Sequence, residues 1–105
     1  MITIEEFRKL DLRIGKIKHV EDIPESDKLY RLEVDFGNEK RQLVAGIRGS
    51  YSKEQLIGKE IVVVANLQPA KIRGVESQGM LLAAEDEKPI ILIPEREVKL
   101  GSKVR

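Results

Sequence analysis

The residues with the clearest chemical potential lie in one polar stretch, from Asn66 to Met80 (NLQPAKIRGVESQGM). Lys71 and Arg73 flank Ile72, so in an extended chain both cations point to one side and the isoleucine points to the other. Two cations on one side can neutralise neighbouring phosphates. The spacing is therefore suited to contact with a nucleic acid, and the simpler interpretation, that these are solvated side chains of a surface loop, stays open at this point.

The same stretch carries neutral groups that suit a nucleic acid. Asn66, Ser77 and Gln78 could hydrogen-bond phosphate, ribose or base edges, and Met80 offers a soft apolar surface on which a base could rest. Each residue also has a structural interpretation. Serine and glutamine beside glycines often form turns, and a methionine at this position could belong to the core.

Composition excludes several kinds of site. The chain has 105 residues, of which 41% are hydrophobic and 35% charged, with no cysteine and a single histidine, His19. Disulfides, thiolate metal sites and cysteine nucleophiles are excluded, and a histidine-based zinc site or triad has almost no residues to draw on. We therefore predict no enzyme, no metal site and no cofactor. Because the net charge is only +1, any positive surface must be local.

Length and hydropathy predict a non-membrane protein. No apolar run approaches the roughly 20 residues that a bilayer requires, and Met1–Glu6 lacks the features of a signal peptide. We expect a cytoplasmic protein that forms one domain over residues 1–105.

Two short helices have complete start signals. Thr3 and Glu6 have the spacing of a capping box, which predicts a helix over Ile4–Leu10. Ser52 and Gln55 repeat this spacing and predict a second helix of one or two turns.

The remaining apolar patterns predict strands. Leu12 and Ile14 share one face and Ile17 the other, so we interpret Gly15 between them as a bulge or sharp bend, which would let a small sheet curl into a barrel. The third strand has apolar residues on both faces and is expected to be central. Strands are predicted over 11–20, 30–36, 41–47, 61–67 and 80–84, with a C-terminal strand ending near residue 104.

The order of elements points to one architecture. Three strands, a short helix and two strands are the arrangement of the OB-fold, a five-stranded Greek-key barrel with a helix between its third and fourth strands. The prediction is thus an all-β OB-fold barrel with a short N-terminal helix and a C-terminal extension. Other small barrels remain open from the pattern alone.

The motif from Asn66 to Met80 closely resembles the signature of a tRNA-binding domain. This domain occurs at the C-terminus of many methionyl-tRNA synthetases, in free-standing structure-specific tRNA-binding proteins and in the endothelial monocyte-activating polypeptide group. Three further segments resemble the family: DLRIGKI at 11–17, SDKLY at 26–30 and VAGI at 44–47. The resemblance spans the whole chain.

The resemblance implies an OB-fold that binds the outside corner of the L-shaped tRNA by form. It implies a non-catalytic module that recruits tRNA for aminoacylation, as the C-terminal domain or beta subunit of methionyl-tRNA synthetase or as a stand-alone protein. Two departures concern the strength of binding: Ile23 replaces a histidine before Pro24, and Gln68 replaces a basic residue. The tRNA-binding candidates are Asn66, Lys71, Arg73, Ser77, Gln78, Met80 and Lys28.

Relatives of similar length form homodimers, so the resemblance also implies a second copy of this chain as a partner, alongside tRNA and a methionyl-tRNA synthetase catalytic chain. The alternative is that the N-terminal helix only closes the end of the barrel. The expected dimer-interface residues are Ile2, Phe7, Leu10, Ile90, Ile91, Leu92 and Ile93.

Two other function classes stay open. One is a peptide-binding, secretion-chaperone-like dimer of the same fold; its pattern lacks the Lys-x-Arg-Gly and Ser-x-Gly-Met elements, both of which this chain contains. The other is a small enzyme, for which acid–base and nucleophile candidates are missing.

Overall fold

The computed structural model describes residues 1–105 and is built mainly of antiparallel strands. The elements are α1 (Ile4–Phe7), β1 (Leu12–Asp22), β2 (Tyr30–Asp35), β3 (Lys40–Ala45), α2 (Lys53–Leu56), β4 (Glu60–Val64), β5 (Ala70–Ile72), β6 (Val75–Ser77), β7 (Met80–Leu81), β8 (Ala83–Asp86), β9 (Lys88–Ile91) and β10 (Lys103–Val104). One sheet has the order β3-β2-β1-β4-β7, with β10 paired to the start of β1, while β5-β6 and β8-β9 form separate two-stranded hairpins.

The sheet curls into a nearly closed barrel around one apolar core, with α2 between β3 and β4. The alternation predicted for the second strand is confirmed, since Tyr30, Leu32 and Val34 are buried while the residues between them are partly exposed. The prediction of an all-β, OB-fold-like barrel is confirmed as well. The core also contains Ile17, Val20, Phe36, Leu43, Ala45, Ile47, Leu56, Ile61, Val63 and Ile91.

The bulge predicted at Gly15 is absent. The register shift between β1 and β2 lies between Ile17 and His19, not at Gly15. A Cβ at Gly15 would lie 2.5 Å from Val34 Cγ1 and 2.9 Å from Phe36 Cε1. The glycine therefore occupies an inward position of β1 where the core leaves no room for a side chain.

Both capping boxes are confirmed; α1 is shorter than predicted, whereas α2 has the predicted length of about one turn. In α1 the Thr3 hydroxyl accepts a hydrogen bond from the Glu6 N–H, and Ser52 and Gln55 do the same for α2. After Phe7 the chain tightens into i→i+3 hydrogen bonds, from Lys9 N–H to the Glu6 carbonyl and from Leu10 N–H to the Phe7 carbonyl. This tight turn ends α1 before Leu10 and leads the chain into β1.

The second half of the chain contains more strands than the sequence predicted. The polar connection from Asn66 to Gly79 contains the β5-β6 hairpin, and the strand predicted over 80–84 is divided between β7 and β8. The strand predicted over 61–67 ends at Val64, where the chain turns. The third strand, β3, is paired in a ladder with β2 alone.

The structure divides the apolar residues predicted for a dimer interface. Ile91 lies in the barrel core and is not on the surface. Phe7 packs against a second, outer cluster on β1 and β4, so α1 covers the outside of the barrel and does not close its end. The exposed residues of the predicted set are Ile2, Leu10, Ile90, Leu92 and Ile93.

Neither helix has the length and hydrophobicity needed to cross a membrane.

Candidate nucleic-acid interface

The predicted cations lie at the end of the β5-β6 hairpin. Lys71 pairs with Glu76 and Ile72 with Val75, which leaves Arg73 and Gly74 as a two-residue turn. Their φ angles of 54° and 80° are those of a type I′ turn, which matches the twist of the strands and favours Asn-Gly. The left-handed backbone conformation is strained for an arginine. Arg73 therefore occupies a turn position that asparagine would adopt at a lower conformational cost.

Six of the 19 Lys and Arg side chains form ion pairs, all of them on or near the barrel strands, whereas those of the hairpin tip do not. Lys71 and Arg73 are exposed and form no ion pair. By contrast, hydrogen bonding and charge attraction from Asp11 raise the pKa of Arg13, which stays charged and bound to that carboxylate. The ion-paired cations are Arg13, Arg31, Lys40, Arg41, Arg48 and Lys53.

Lys28 lies in the loop between β1 and β2 and is also exposed without an ion pair. Its carbonyl accepts a hydrogen bond from the Arg48 N–H at 3.1 Å, which ties this loop to the segment after β3. The loop leads into Tyr30, which pairs with Ala45 at the end of β3. In OB-folds, oligonucleotides usually bind to two loops, one between the first and second barrel strands and one between the fourth and fifth. Lys28 lies in the first of these loops, between β1 and β2. The β5-β6 hairpin lies in the second, between β4 and β7.

Ser77 is committed to the fold. Its side chain is buried, with the residue 5% exposed. Its hydroxyl accepts a hydrogen bond from the Val44 N–H at 3.0 Å and donates one to the Gly79 carbonyl at 2.9 Å. The hydroxyl thus satisfies a backbone group on the free edge of β3, and the tRNA contact from Ser77 stays a prediction.

Gln78, the next residue, also forms hydrogen bonds to the edge of β3. Its backbone N–H donates to the Gln42 carbonyl at 2.8 Å, and its side-chain Oε1 accepts from the Gln42 N–H at 3.0 Å. The Gln42 Nε2 group in turn donates to the Glu76 carbonyl at 2.8 Å. These bonds join β3 to the segment after β6, where no strand ladder is present, and they help close the barrel.

Asn66 holds the N-terminal segment against the base of the hairpin. Its Oδ1 accepts from the Asp11 N–H at 2.8 Å and its Nδ2 donates to the Lys9 carbonyl at 2.7 Å. Asn66, Ser77 and Gln78, which the sequence suggested as ligand-binding groups, thus use their side-chain oxygens within the chain. Of the motif's predicted contacts, Lys71, Arg73 and Met80 present free side chains.

Met80 lies on the surface beside two other apolar residues. The exposed fractions are 50% for Met80, 42% for Leu67 and 37% for Ile72, and all three line one shallow groove whose floor includes Val44. Ile72, expected on the side opposite to Lys71 and Arg73, is exposed at this groove and does not belong to the core. Sequence reasoning missed Leu67, although a large apolar residue within a polar segment was the available signal.

The acidic run at 85–87 lies at the exposed turn of the β8-β9 hairpin. No three His, Cys, Asp or Glu side chains come together in an arrangement that could hold a metal ion.

The family follows from comparison with known proteins. A family model described as "Putative tRNA binding domain" matches residues 12–103. The chain belongs to this family. The domain is a non-catalytic accessory module, and in the ligase relatives it corresponds to the C-terminal region.

Curated relatives match almost the whole chain but are much longer. The chain is 59% identical to the methionine–tRNA ligase of Pyrococcus furiosus and 56% identical to that of Thermococcus onnurineus, in each case over 105 residues. The match covers 99% of this chain and 14% of each ligase. The chain thus spans about a seventh of the length of these relatives.

Solved structures of similar length have the same fold. The MetRS-related protein from Pyrococcus horikoshii has a TM-score of 0.94 at 42% identity and covers 100% of this chain and 98% of its own. The chaperone CsaA from Bacillus anthracis has a TM-score of 0.90 at 37% identity, with coverage of 100% and 99%.

Proposed function

We propose that this domain binds folded tRNA through the tip of the β5-β6 hairpin and the β1-β2 loop, and that it recruits tRNA for aminoacylation. The observation that carries the proposal is the pair of unpaired cations, Lys71 and Arg73, on an exposed turn within the family motif. Lys28 on the neighbouring loop adds a third free cation. Contact with phosphates would release counterions and make the affinity fall steeply with salt.

The aromatic residues favour recognition of shape over stacking on single strands. Tyr30 and Phe36 belong to the barrel core, and Tyr51 packs against it. The Tyr30 hydroxyl donates to the Tyr51 carbonyl at 2.8 Å, and the Tyr51 hydroxyl accepts from the Ile91 N–H at 3.1 Å. Phe7 packs on the outer cluster. General single-strand binders usually stack bases on exposed aromatics, which this surface lacks.

Few phosphate contacts are available to a single copy, so we propose that two copies act together, or that one copy acts beside a methionyl-tRNA synthetase catalytic chain. Joining two weak sites raises the effective concentration for the second contact. Exposed Ile2 and Leu10, with Ile90, Leu92 and Ile93, supply apolar surface for such an interface. Sedimentation of the purified protein would measure the oligomeric state.

The central test is the double variant Lys71→Ala/Arg73→Ala. We expect affinity for bulk tRNA at low salt to fall about tenfold to a hundredfold, since each charge-assisted contact is worth about 1.5–3 kcal/mol before solvent screening reduces it. The slope of log K against log salt should become shallower by about 1.4–1.8, which corresponds to two lost charges. The measurement is a titration of labelled tRNA at several salt concentrations.

A matched control removes two other exposed, unpaired cations: Lys88→Ala/Lys99→Ala changes the net charge equally and should change affinity much less. Equal losses in both double variants would mean that net charge, and not the hairpin, governs binding.

The second candidate function is peptide binding, which the similarity to the CsaA chaperones favours. Protection of an unfolded protein from aggregation, together with no salt-sensitive affinity for tRNA, would support that function and overturn the proposal.

A further inference from the structure

The apolar groove beside Met80 is lined in part by the hairpin that carries the two cations. Ile72, one of its walls, is the residue between Lys71 and Arg73. Leu67 and Met80 form further walls, and the groove has a volume of about 190 Å³. Exposed large apolar side chains that gather at one place mark an interaction site more often than scattered ones do. This groove is defined here as the Met80 groove.

We propose that the Met80 groove holds one unstacked nucleobase of the bound tRNA. The proposal rests on the function proposed above, because it places the phosphates of that nucleotide and its neighbour against Lys71 and Arg73. An RNA-binding protein reads unpaired, splayed-out bases in loops, and such a base would lie beside the phosphates that the tip neutralises. The polarizable thioether of Met80 is suited to contact with an aromatic ring.

Gln68 supplies a polar group at the rim of the groove. It is exposed, lines the groove and forms no hydrogen bond within the chain. Its amide offers both donors and an acceptor, the combination that pairs with the edge of a base. The nearby Ser77 hydroxyl is already engaged by Val44 and Gly79. Gln68 is therefore the side chain that would read the base.

Size and charge favour a base over other occupants. Pockets for drug-sized ligands usually have volumes of about 300–1,000 Å³, so this groove suits one ring system and not an extended ligand. The cations of the hairpin attract an anionic strand and repel a basic peptide.

The experiment compares two RNAs with equal numbers of phosphates, a hairpin with an unpaired loop and a fully paired duplex, alongside bulk tRNA. The variants are Met80→Ala and Gln68→Ala. Ile57→Ala is the control, because Ile57 is similarly exposed but lies outside the groove and outside the proposed interface between copies. We expect Met80→Ala to weaken binding to tRNA and the hairpin RNA about fivefold, and Gln68→Ala about threefold. Both losses are smaller than most losses seen when an aromatic side chain that stacks on a base is replaced by alanine. The salt slope and duplex binding should stay unchanged.

The outcomes separate this inference from the proposed function. If the Met80 and Gln68 variants bind tRNA as Ile57→Ala does, while Lys71→Ala/Arg73→Ala still binds weakly, the groove holds no base and the tRNA function stands. If the unchanged protein ignores tRNA at low salt, both ideas fail. If Met80→Ala loses binding to an unfolded polypeptide and not to tRNA, the occupant is a peptide side chain. Circular dichroism checks folding, and Leu67→Ser provides a second groove variant.

Discussion

At the tip of the β5-β6 hairpin, Lys71 and Arg73 extend into solvent without partners, whereas at its base Ser77 and Gln78 are bonded to the edge of β3. Both regions belong to one motif and are separated by only a few residues. The tip is attached to the protein by the strand pairing of the hairpin, and the base forms part of the barrel wall. A substitution at the tip should therefore change affinity, and one at the base should change stability.

The difference shows that a family motif contains residues of two kinds. Asn66, Ser77 and Gln78 satisfy backbone groups of other segments, which would otherwise be left unpaired where the barrel closes. The charged groups of Lys71 and Arg73 form no hydrogen bond and no ion pair within the chain. A motif residue can thus be required for tRNA binding only because it holds the hairpin in place, and a loss of binding alone does not distinguish the two roles.

The largest expected effect compares two glycines, one in each region. A Cβ at Gly79 would lie 2.9 Å from the Val64 carbonyl oxygen and 3.2 Å from Val63 Cγ1, at a φ of +140°. A Cβ at Gly74 would meet nothing within 4 Å, although its φ is +80°. We expect Gly79→Ala to destabilise the fold by about 3 kcal/mol, from backbone overlap plus strain, and Gly74→Ala by about 1 kcal/mol.

Thermal unfolding measures both effects. At about 4–8 °C per kcal/mol for a domain of this size, Tm should fall by about 12–24 °C for Gly79→Ala and by about 4–8 °C for Gly74→Ala. Equal shifts would contradict the distinction between tip and base.

The next effect tests the base through Ser77→Ala. This change leaves the buried Val44 N–H without its acceptor and the Gly79 carbonyl without its donor. An unsatisfied buried group costs about 1–3 kcal/mol, so we expect a loss of stability of about 2 kcal/mol in urea denaturation. The salt slope of tRNA binding should not change, because no charge is removed. Weaker tRNA binding without the loss of stability would place Ser77 at the RNA.

Much of this fold was predictable because local rules decided it. The alternation of Tyr30, Leu32 and Val34 identified β2, and the spacing of Thr3 and Glu6 identified the cap of α1. Gly15 was misinterpreted because the pattern cannot show what lies across the barrel. Its neighbours, Val34 and Phe36, are about twenty residues away along the chain.

The sequence indicated which residues have chemical groups suited to binding, but it did not show which of these groups already have partners within the chain. Charge identified Lys71 and Arg73 as free cations, but the side chains of Ser77 and Gln78 meet partners on β3 more than thirty positions earlier in the chain. Long-range pairing of this kind leaves no local signal. The Met80 groove depends on the same closure, since Val44 on β3 forms part of it.

The smallest effect on stability, and the sharpest test of the tip, is Arg73→Asn. Asparagine is favoured at the first position of a type I′ turn, so replacing arginine at a φ of 54° should raise stability by about 0.5–1 kcal/mol. Affinity for tRNA should nevertheless fall about threefold to tenfold, and the salt slope should become shallower by about 0.7–0.9, which is one charge. Arg73→Lys keeps the charge and should keep the slope.

A variant that gains stability while it loses affinity would mean that Arg73 is retained against the preference of its own turn, as expected for a ligand-binding residue. Unchanged affinity in Arg73→Asn would remove Arg73 from the interface and leave Lys71 as the tip's contact.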